Sequence, residues 1–192
     1  MGLDIESLLY GAKVMREACE RPDIRSNPAL MTAFLQYLSM KSGKNISVMM
    51  PYADGLKYMS DFYCQIWAES LGKAVNKAGK TVNVGQTPAK SLGVTDQHSQ
   101  VQLYTEGPFD KVITIIGVDS FGDSVDIPAD ESAEVGEFLK GHTLNELINA
   151  ERKATEFALK KAGRSNFTIT MPEVNAETVG ELLMYFMYET AF

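Results

Sequence analysis

The 192-residue sequence is poor in several features that identify classes of protein. It has two cysteines, Cys19 and Cys64, both within apolar helical patterns and without a nearby Cys or His at metal-ligand spacing. This excludes a disulfide framework and a Cys/His metal site, and it predicts reduced thiols in a cytoplasmic protein. The longest apolar run, VITIIGV, is far too short to cross a bilayer, so we predict no membrane insertion.

The sequence also has no excess of basic residues. Its 25 acidic and 18 basic residues give a net charge of −7, which argues against nucleic acid as a partner because no basic stripe is available for phosphates. Seven of the acids lie between Asp119 and Glu137, where Lys and Arg are absent. That segment lacks the spacing of a calcium loop, so we interpret it as a solvated loop of undetermined role.

Several catalytic motifs are missing as well. The sequence contains no G-x-S-x-G, no phosphate-binding P-loop and no G-x-G-x-x-G. Serine hydrolases, P-loop NTPases and dinucleotide-dependent dehydrogenases are therefore disfavoured. We predict that the protein uses no metal and no cofactor.

What is present is a regular alternation of helical and strand patterns. Helical periodicity covers residues 4–20, 27–43, 54–77, 96 onward, 143–161 and 175 onward, and short β-rich runs occupy 46–51, 80–85, 111–118 and 167–172. Apolar strands joined by helices predict an α/β fold, a three-layer α/β/α sandwich whose parallel sheet is flanked by helices. Ligands in such folds bind at the carboxyl ends of the strands, here the loops after Pro51, Val84, Val118 and Met171.

The last helix remains apolar and periodic up to Phe192, without a glycine cap or a basic last turn. From this pattern we predict that residues 1–192 are a single domain taken from a longer protein.

Glu69 is the first candidate for chemistry. On a helical wheel, the side of Glu69 carries Tyr58, Phe62, Gln65, Lys73 and Asn76, and the opposite, core side carries Leu56, Tyr63, Trp67 and Ala74. One interpretation is a solvated stripe with a Glu69–Lys73 pair worth about 0.2–0.5 kcal/mol. The aromatic residues on this side, together with the space left by Gly72, favour the wall of a cleft instead.

The two histidines differ in context. His98 lies in the first turn of the helix that Thr95 or Asp96 is expected to cap, where the helix dipole favours the neutral ring and hence proton transfer near neutrality. A structural or merely exposed role is the alternative. His142 precedes Thr143, the expected cap of the next helix, and we interpret it as a surface residue.

Taken together, the runs QIWAESLGK and GVTDQHSQVQLYTEGP resemble the phosphoglucose isomerase family, bacterial type. The resemblance extends over nearly the whole chain, through GLDIESLLYGA, PYADGLKYMSDFY and TITMPEVNAETVGELLMYF. It implies the large domain of that family, which has a sugar-isomerase (SIS) fold. It also implies cytoplasmic glycolysis and gluconeogenesis as the setting, with glucose 6-phosphate and fructose 6-phosphate as substrates.

The resemblance assigns roles to three residues. Glu69 corresponds to the family's base, which moves a proton between C2 and C1 of the open-chain sugar phosphate through a cis-enediol. Gln65 corresponds to the glutamine that contacts the substrate phosphate. His98 corresponds to the histidine that assists ring opening and that, in the family's homodimer, reaches into the active site of the second subunit.

Other family motifs are absent from these 192 residues. The G-G-R-[FY]-S arginine motif and the serine/threonine phosphate loop belong before residue 1, and D-Q-x-G-V-E with its lysine belongs after Phe192. We therefore expect this polypeptide alone to be inactive or nearly so. The alternative function is a non-catalytic SIS module that binds a sugar phosphate, whereas a hexosamine-phosphate isomerase is disfavoured by the run TDQHSQ.

Overall fold

The computed structural model describes residues 2–128 and 136–192. The helices in these ranges are α1 (Ile5–Cys19), α2 (Pro28–Lys41), α3 (Lys57–Leu71), α4 (Thr95–Glu106), α5 (Leu144–Lys161) and α6 (Ala176–Ala191). The strands are β1 (Ile46–Pro51), β2 (Lys73–Val75), β3 (Thr81–Val84), β4 (Thr87–Lys90), β5 (Lys111–Ser120) and β6 (Ser165–Glu173).

Four strands form one parallel sheet in the order β4-β1-β5-β6. The helices α1, α2, α3 and α6 lie on one face of this sheet, and α4 and α5 lie on the other. The predicted three-layer α/β/α architecture is therefore confirmed. The order also creates a topological switch point between β1 and β5. After β1 the chain adds β4 on one side of β1, and it then crosses back to add β5 and β6 on the other side of β1.

Both faces of the sheet are buried, which explains the continuous apolar runs of β1 and β5. On β5, Ile116 and Val118 contribute to the core beneath α3 and α6, whereas Ile113 and Ile115 contribute to the core beneath α4 and α5. All four side chains are fully buried. This burial on alternating sides follows from the two-residue period of a strand.

Polar caps define several helix boundaries where the sequence indicated them. Asn27 accepts a hydrogen bond from Leu30 N at 2.9 Å, and its own amide donates to the carbonyls of Cys19 and Arg21 at 2.6 and 2.9 Å. Thr143 and Glu146 form a reciprocal capping box at the start of α5. Asn27 thus caps α2 and also holds the end of α1 against it.

The predicted helix over 54–77 is wrong at its carboxyl end. α3 ends at Leu71, and the following residues turn back as an antiparallel hairpin of β2 and β3. The Asn76 side chain accepts hydrogen bonds from Ala78 N and Lys80 N, and Gly79 supplies a positive φ of 77°. This local turn chemistry stabilises a hairpin where a continued helix was expected.

The predicted sheet strand at 80–85 is also wrong, because among the described residues β3 pairs with β2 and not with any strand of the main sheet. The sheet strand is β4, which sequence analysis assigned to a loop. β4 has only four residues and includes Pro88, which lies opposite Ser47 of β1. A proline is tolerated there because β4 is the edge strand of the sheet, but it obscures the strand pattern in the sequence.

The acidic segment is described only in part, since residues 129–135 lie outside the described ranges. Asp119 and Ser120 still belong to β5, so the predicted loop begins too early, but most residues from Phe121 to Pro128 are exposed, as expected of a solvated loop. Phe121 is half-buried, and Ile127 is buried and donates its N–H to the carbonyl of His142 at 2.8 Å. Within residues 2–128 and 136–192, no helix has the length and apolarity needed to cross a bilayer, and no group of three ligating side chains could hold a metal ion.

Two glycines allow α1 and α6 to pack backbone against backbone. A Cβ at Gly11 would lie 1.9 Å from the carbonyl oxygen of Glu177, and one at Gly180 would lie 2.0 Å from that of Leu8. Neither carbonyl is a flexible group that can rotate away. The two helices can therefore approach this closely only with glycine at both positions.

We expect Gly11→Ala to lower the free energy of unfolding by about 2 kcal/mol, because the two helices must separate. For a chain of this size, the melting temperature should fall by about 4–8 °C. Circular dichroism during thermal unfolding would measure this. Gly55→Ala is a matched control, because its nearest neighbour would be a Val174 methyl group at 3.9 Å. Equal melting temperatures for the two variants would contradict the prediction.

Candidate active site

Gln65 and Glu69 lie on one exposed face of α3, four residues and about one helical turn apart. The opposite face carries Tyr63 and Trp67, which are 0% and 2% exposed. The helical wheel is thus confirmed for these four side chains. It is wrong for Lys73, Ala74 and Asn76, which lie beyond the end of the helix in the hairpin, where Ala74 is exposed.

An aromatic cluster holds the buried face of α3 in place. The rings of Tyr63 and Trp67 stack with their centroids 5.0 Å apart, and Tyr63 meets Phe186 of α6 edge-on at 5.3 Å. The Tyr63 hydroxyl also shares a hydrogen bond of 2.7 Å with Ser47 of β1. Contacts of this kind fix the rotation of α3 about its axis, and that rotation determines where Gln65 and Glu69 point.

The hairpin lies directly against the end of α3. A Cβ at Gly85 would lie 3.1 Å from the Cα of Gly72, so the two chain segments meet closely just beyond Glu69. Lys73 donates to the carbonyl of Ser70 and has left the helical path. The Glu69–Lys73 pair considered from the sequence is therefore not formed.

The Glu69 carboxylate makes no hydrogen bond and no ion pair with any residue in the two described ranges. Its side chain is exposed, and the neighbouring Gln65 is exposed as well. A carboxylate and an amide on adjacent turns with free polar atoms can contact the same ligand. The carboxylate can accept a proton, and the amide can both donate and accept hydrogen bonds.

Glu69 lies toward the amino ends of the sheet strands, not their carboxyl ends. α3 begins just after the carboxyl end of β1 and runs back antiparallel to the sheet. Twelve residues separate its start from Glu69, or about 18 Å at 1.5 Å per residue. The rule that ligands of α/β folds bind at the carboxyl ends of the strands therefore does not point to Glu69, which lies near their amino ends.

His98 lies in the first turn of α4, as predicted, and is exposed. The turn has no side-chain cap of the expected kind, since the N-cap residue is Val94, and Asp96 instead accepts a hydrogen bond from Leu92 N at 2.7 Å. α4 follows the carboxyl end of β4 on the face of the sheet opposite to α3. The fold thus brings Gln65 and Glu69 together but keeps His98 apart from them.

The carboxyl ends of the strands do surround a cavity of about 600 Å³ at the switch point. The loops after β1, β4, β5 and β6 all contribute to it, including Asp54, Thr95, Asp123 and Val174. The predicted loop after Val84 is replaced here by the loop after Lys90, because β4 is the sheet strand. Among the described residues that line the cavity there is no Lys or Arg, so it offers no cation to a phosphate group.

Glu189 of α6 is a buried acidic residue that sequence analysis did not single out. Only 3% of the residue is exposed, and desolvation raises the pKa of its carboxyl from 4.5 to about 8, opposed by a hydrogen bond from Thr32. Within the described residues, its Oε1 atom and Trp67 Nε1 have no hydrogen-bond partner. Both residues line a cavity of about 150 Å³ next to the last turn of α3. In the sequence, the sign of this buried acid is that Glu189 stands in the otherwise apolar run LLMYFMYETAF.

His142 is an exposed residue, as predicted from its position before Thr143. Its Nδ1 lies 3.1 Å from Oε2 of Glu146, and about three fifths of its side chain is accessible to solvent. Hydrogen bonds from Thr143 N and His142 lower the pKa of the Glu146 carboxyl. The arrangement belongs to the cap of α5 and is separate from the candidate site residues.

Comparison with known proteins identifies the family. The model of the phosphoglucose isomerase family matches residues 1–191. The chain is 56% identical over 193 aligned residues to glucose-6-phosphate isomerase of Carboxydothermus hydrogenoformans, covering 100% of this chain and 41% of that protein. It is 45% identical over 192 residues to glucose-6-phosphate isomerase of Rubrobacter xylanophilus, covering 99% of this chain and 42% of that protein.

Solved structures agree with this result. A hypothetical protein from Thermus thermophilus superposes with a TM-score of 0.92 at 36% identity, over 99% of this chain and 44% of that one. A glucose-6-phosphate isomerase from Chlamydia trachomatis has the same fold, with a TM-score of 0.83 at 22% identity, over 96% of this chain and 37% of that one. The chain spans about two fifths of the length of the curated relatives named above. Because the family model matches all but its last residue, the chain belongs to the phosphoglucose isomerase family.

Proposed function

We propose that this chain is the large (SIS) domain of a glucose-6-phosphate isomerase, and that it supplies the base that interconverts glucose 6-phosphate and fructose 6-phosphate. The observation that carries the proposal is the placement of Gln65 and Glu69. In a chain that belongs to the isomerase family, these two free polar side chains share one exposed face of a rigidly packed helix.

In this proposal the Glu69 carboxylate removes the proton from C2 of the open-chain aldose phosphate. The electron pair of the broken C–H bond forms the C1–C2 double bond of a cis-enediol, and the carbonyl oxygen at C1 takes up a proton. Return of the carboxyl proton to C1, with loss of the O2 proton, gives the ketose. A carboxylate suits the step because it can accept a proton and return it.

Gln65 lies one turn before Glu69 and is proposed to contact the substrate phosphate. Its amide can donate to a phosphate oxygen, but a neutral amide is not sufficient to hold a dianion in water. Further phosphate contacts must therefore come from elsewhere in the longer isomerase.

His98 is proposed to assist ring opening in the active site of a second copy of the chain. The separation seen here supports that arrangement, since His98 and Glu69 lie on opposite faces of the sheet and near opposite edges. Two copies could place the histidine of one beside the glutamate of the other. The functional unit would then be a homodimer, and we propose the cytoplasm as its location, in keeping with the two free thiols.

The proposal is tested by activity measurements on two polypeptides. We expect the full-length isomerase to convert fructose 6-phosphate into glucose 6-phosphate, and the isolated 192-residue chain to be inactive or nearly so, because it covers only 41% of the Carboxydothermus hydrogenoformans isomerase. A coupled assay for glucose 6-phosphate measures both. Turnover by the shorter chain at a rate near that of the full-length protein would contradict the expected dependence on the remaining segments. No turnover by the full-length protein would contradict the function.

A further inference from the structure

The first turn of α4 is held from inside by Gln97, the residue that precedes His98. The Tyr52 hydroxyl donates to Gln97 Oε1 at 3.0 Å, and the Thr155 hydroxyl donates to the same oxygen. Gln97 Nε2 in turn donates to Glu151 Oε2 at 2.7 Å. Both ends of the Gln97 amide are thus occupied by side chains from outside its own helix.

The groups that hold Gln97 belong to well-packed parts of the molecule. Tyr52 directly follows β1 and is 1% exposed, and Thr155 on α5 is 6% exposed. The loop that enters α4 lies flat on the Tyr52 ring, where a Cβ at Gly93 would come within 2.5 Å of the ring atoms. The network therefore ties the start of α4 to the sheet and to α5, rather than to mobile surface groups.

A second set of bonds fixes the same turn along the chain. Asp96 accepts from Leu92 N at 2.7 Å and from the Ser99 hydroxyl at 3.1 Å. The carbonyl of Pro51 accepts from Gly93 N at 3.0 Å. Residues 92–99 are consequently held both by their own local bonds and by the half-buried Gln97 amide.

His98 itself is exposed, and its ring makes no hydrogen bond with any residue in the two described ranges. Neighbouring residues of a helix point about 100° apart, so an inward Gln97 directs His98 outward. With no partner of its own, the imidazole takes its direction from the backbone of the turn. We infer that Gln97, locked by Tyr52, Thr155 and Glu151, is a positioning residue that aims His98 for ring opening, an inference that rests on the proposed function.

The test isolates ring opening from proton transfer. Glucose 6-phosphate exchanges its α and β anomers by opening and reclosing the ring, which does not need the C2 proton to move. In a Glu69→Gln background of the full-length isomerase, anomer exchange followed by NMR exchange spectroscopy therefore reports only the step assigned to His98. His98→Asn in this background should slow the exchange, and if it does not, the proposed role of His98 fails.

Gln97→Leu in the same background should slow anomer exchange about 10- to 100-fold at saturating substrate, because a small displacement of an acid–base group has effects of this size. The KM for the sugar phosphate should be unchanged. Gln102→Leu, the same substitution at an exposed position of α4, should leave the rate as it was. If His98→Asn slows the exchange and Gln97→Leu does not, only the positioning inference is overturned.

Exchanging the residues at positions 97 and 151 distinguishes a positioning role of Gln97 from a general loss of packing. Gln97→Glu puts two carboxylates together with Glu151 and should slow anomer exchange. The double change Gln97→Glu with Glu151→Gln restores the hydrogen bond with donor and acceptor reversed, so it should recover most of the rate. Tyr52→Phe, which removes one donor, gives a milder test if Gln97→Leu does not fold. A double variant as slow as Gln97→Glu, together with an unchanged rate in Tyr52→Phe, would overturn the inference.

Discussion

Replacing Glu69 by Gln in the full-length isomerase should lower turnover of fructose 6-phosphate by about 10²- to 10⁴-fold, the contribution usual for a positioned general base. The amide has nearly the same shape as the carboxylate but cannot accept the C2 proton. Binding of the sugar phosphate should be largely preserved, since Gln65 and the proposed phosphate contacts are unaltered. Steady-state kinetics give the fall in kcat, and the affinity for a non-reactive sugar phosphate gives the change in binding.

The loss of C2 proton exchange with solvent would show directly that proton transfer is the affected step. Glu17→Gln is a matched control, because Glu17 is another exposed helical glutamate, 59% accessible at its side chain and 3.9 Å from Lys13. It should leave turnover unchanged. If turnover survives in the Glu69→Gln variant, the catalytic assignment is wrong.

If the full-length wild-type protein binds the sugar phosphate without turning it over, the alternative of a non-catalytic SIS module is favoured.

The stability of the 192-residue chain should fall as the pH rises from about 4.5 to about 8, because of Glu189. Burial raises the pKa of this carboxyl from 4.5 to about 8 in the folded state. Between these values the unfolded chain releases the proton while the folded chain keeps it. The unfolded state then binds fewer protons, so the free energy of unfolding decreases with pH.

The size of the effect follows from the same shift. Each unit of pKa difference corresponds to about 1.4 kcal/mol, so the full change is at most about 5 kcal/mol. This is a large part of the roughly 5–15 kcal/mol that stabilises a typical domain. Below pH 4.5 both states are protonated, and above pH 8 both are ionised, so Glu189 should contribute no further slope in either range.

Urea unfolding of the wild type and of Glu189→Gln, from about pH 4.5 to about pH 9, would measure this contribution. The difference between the two proteins cancels the effect of every other titrating group that does not contact Glu189. We expect Glu189→Gln to be the more stable protein at the alkaline end and the advantage to shrink toward the acidic end. If the difference in free energy of unfolding between the two proteins does not vary with pH, Glu189 does not keep its proton in the folded state.

The neighbourhood of Glu189 explains why its charge is so costly. Thr32 offers it one hydroxyl, and the tyrosines nearby, Tyr63 and Tyr185, are themselves buried and have raised pKa values. Its charge in turn disfavours the ionised form of both tyrosines. A buried carboxyl with only neutral neighbours is stable when it is protonated and costly when it is not.

The amino-acid sequence by itself determined the α/β class, most of the helix and strand order, and the side of α3 on which Gln65 and Glu69 lie. These features follow from local periodicity and from caps such as Asn27 and Thr143, which depend on residues three or four positions apart. It also contained the motifs QIWAESLGK and TDQH, whose spacing indicates the family without any knowledge of the fold.

Only the tertiary structure decided which strands pair, which edge of the sheet lies near Glu69, and that α4 with His98 lies on the other face of the sheet. The four-residue strand β4 is stabilised by its pairing with β1, and its own sequence does not indicate it. The hydrogen bonds of Gln97 join residues that are 45 to 58 positions apart, and the burial of Glu189 brings α6 against Thr32 of α2. Contacts of this kind arise from the packing of helices on a sheet, and local sequence patterns do not encode them.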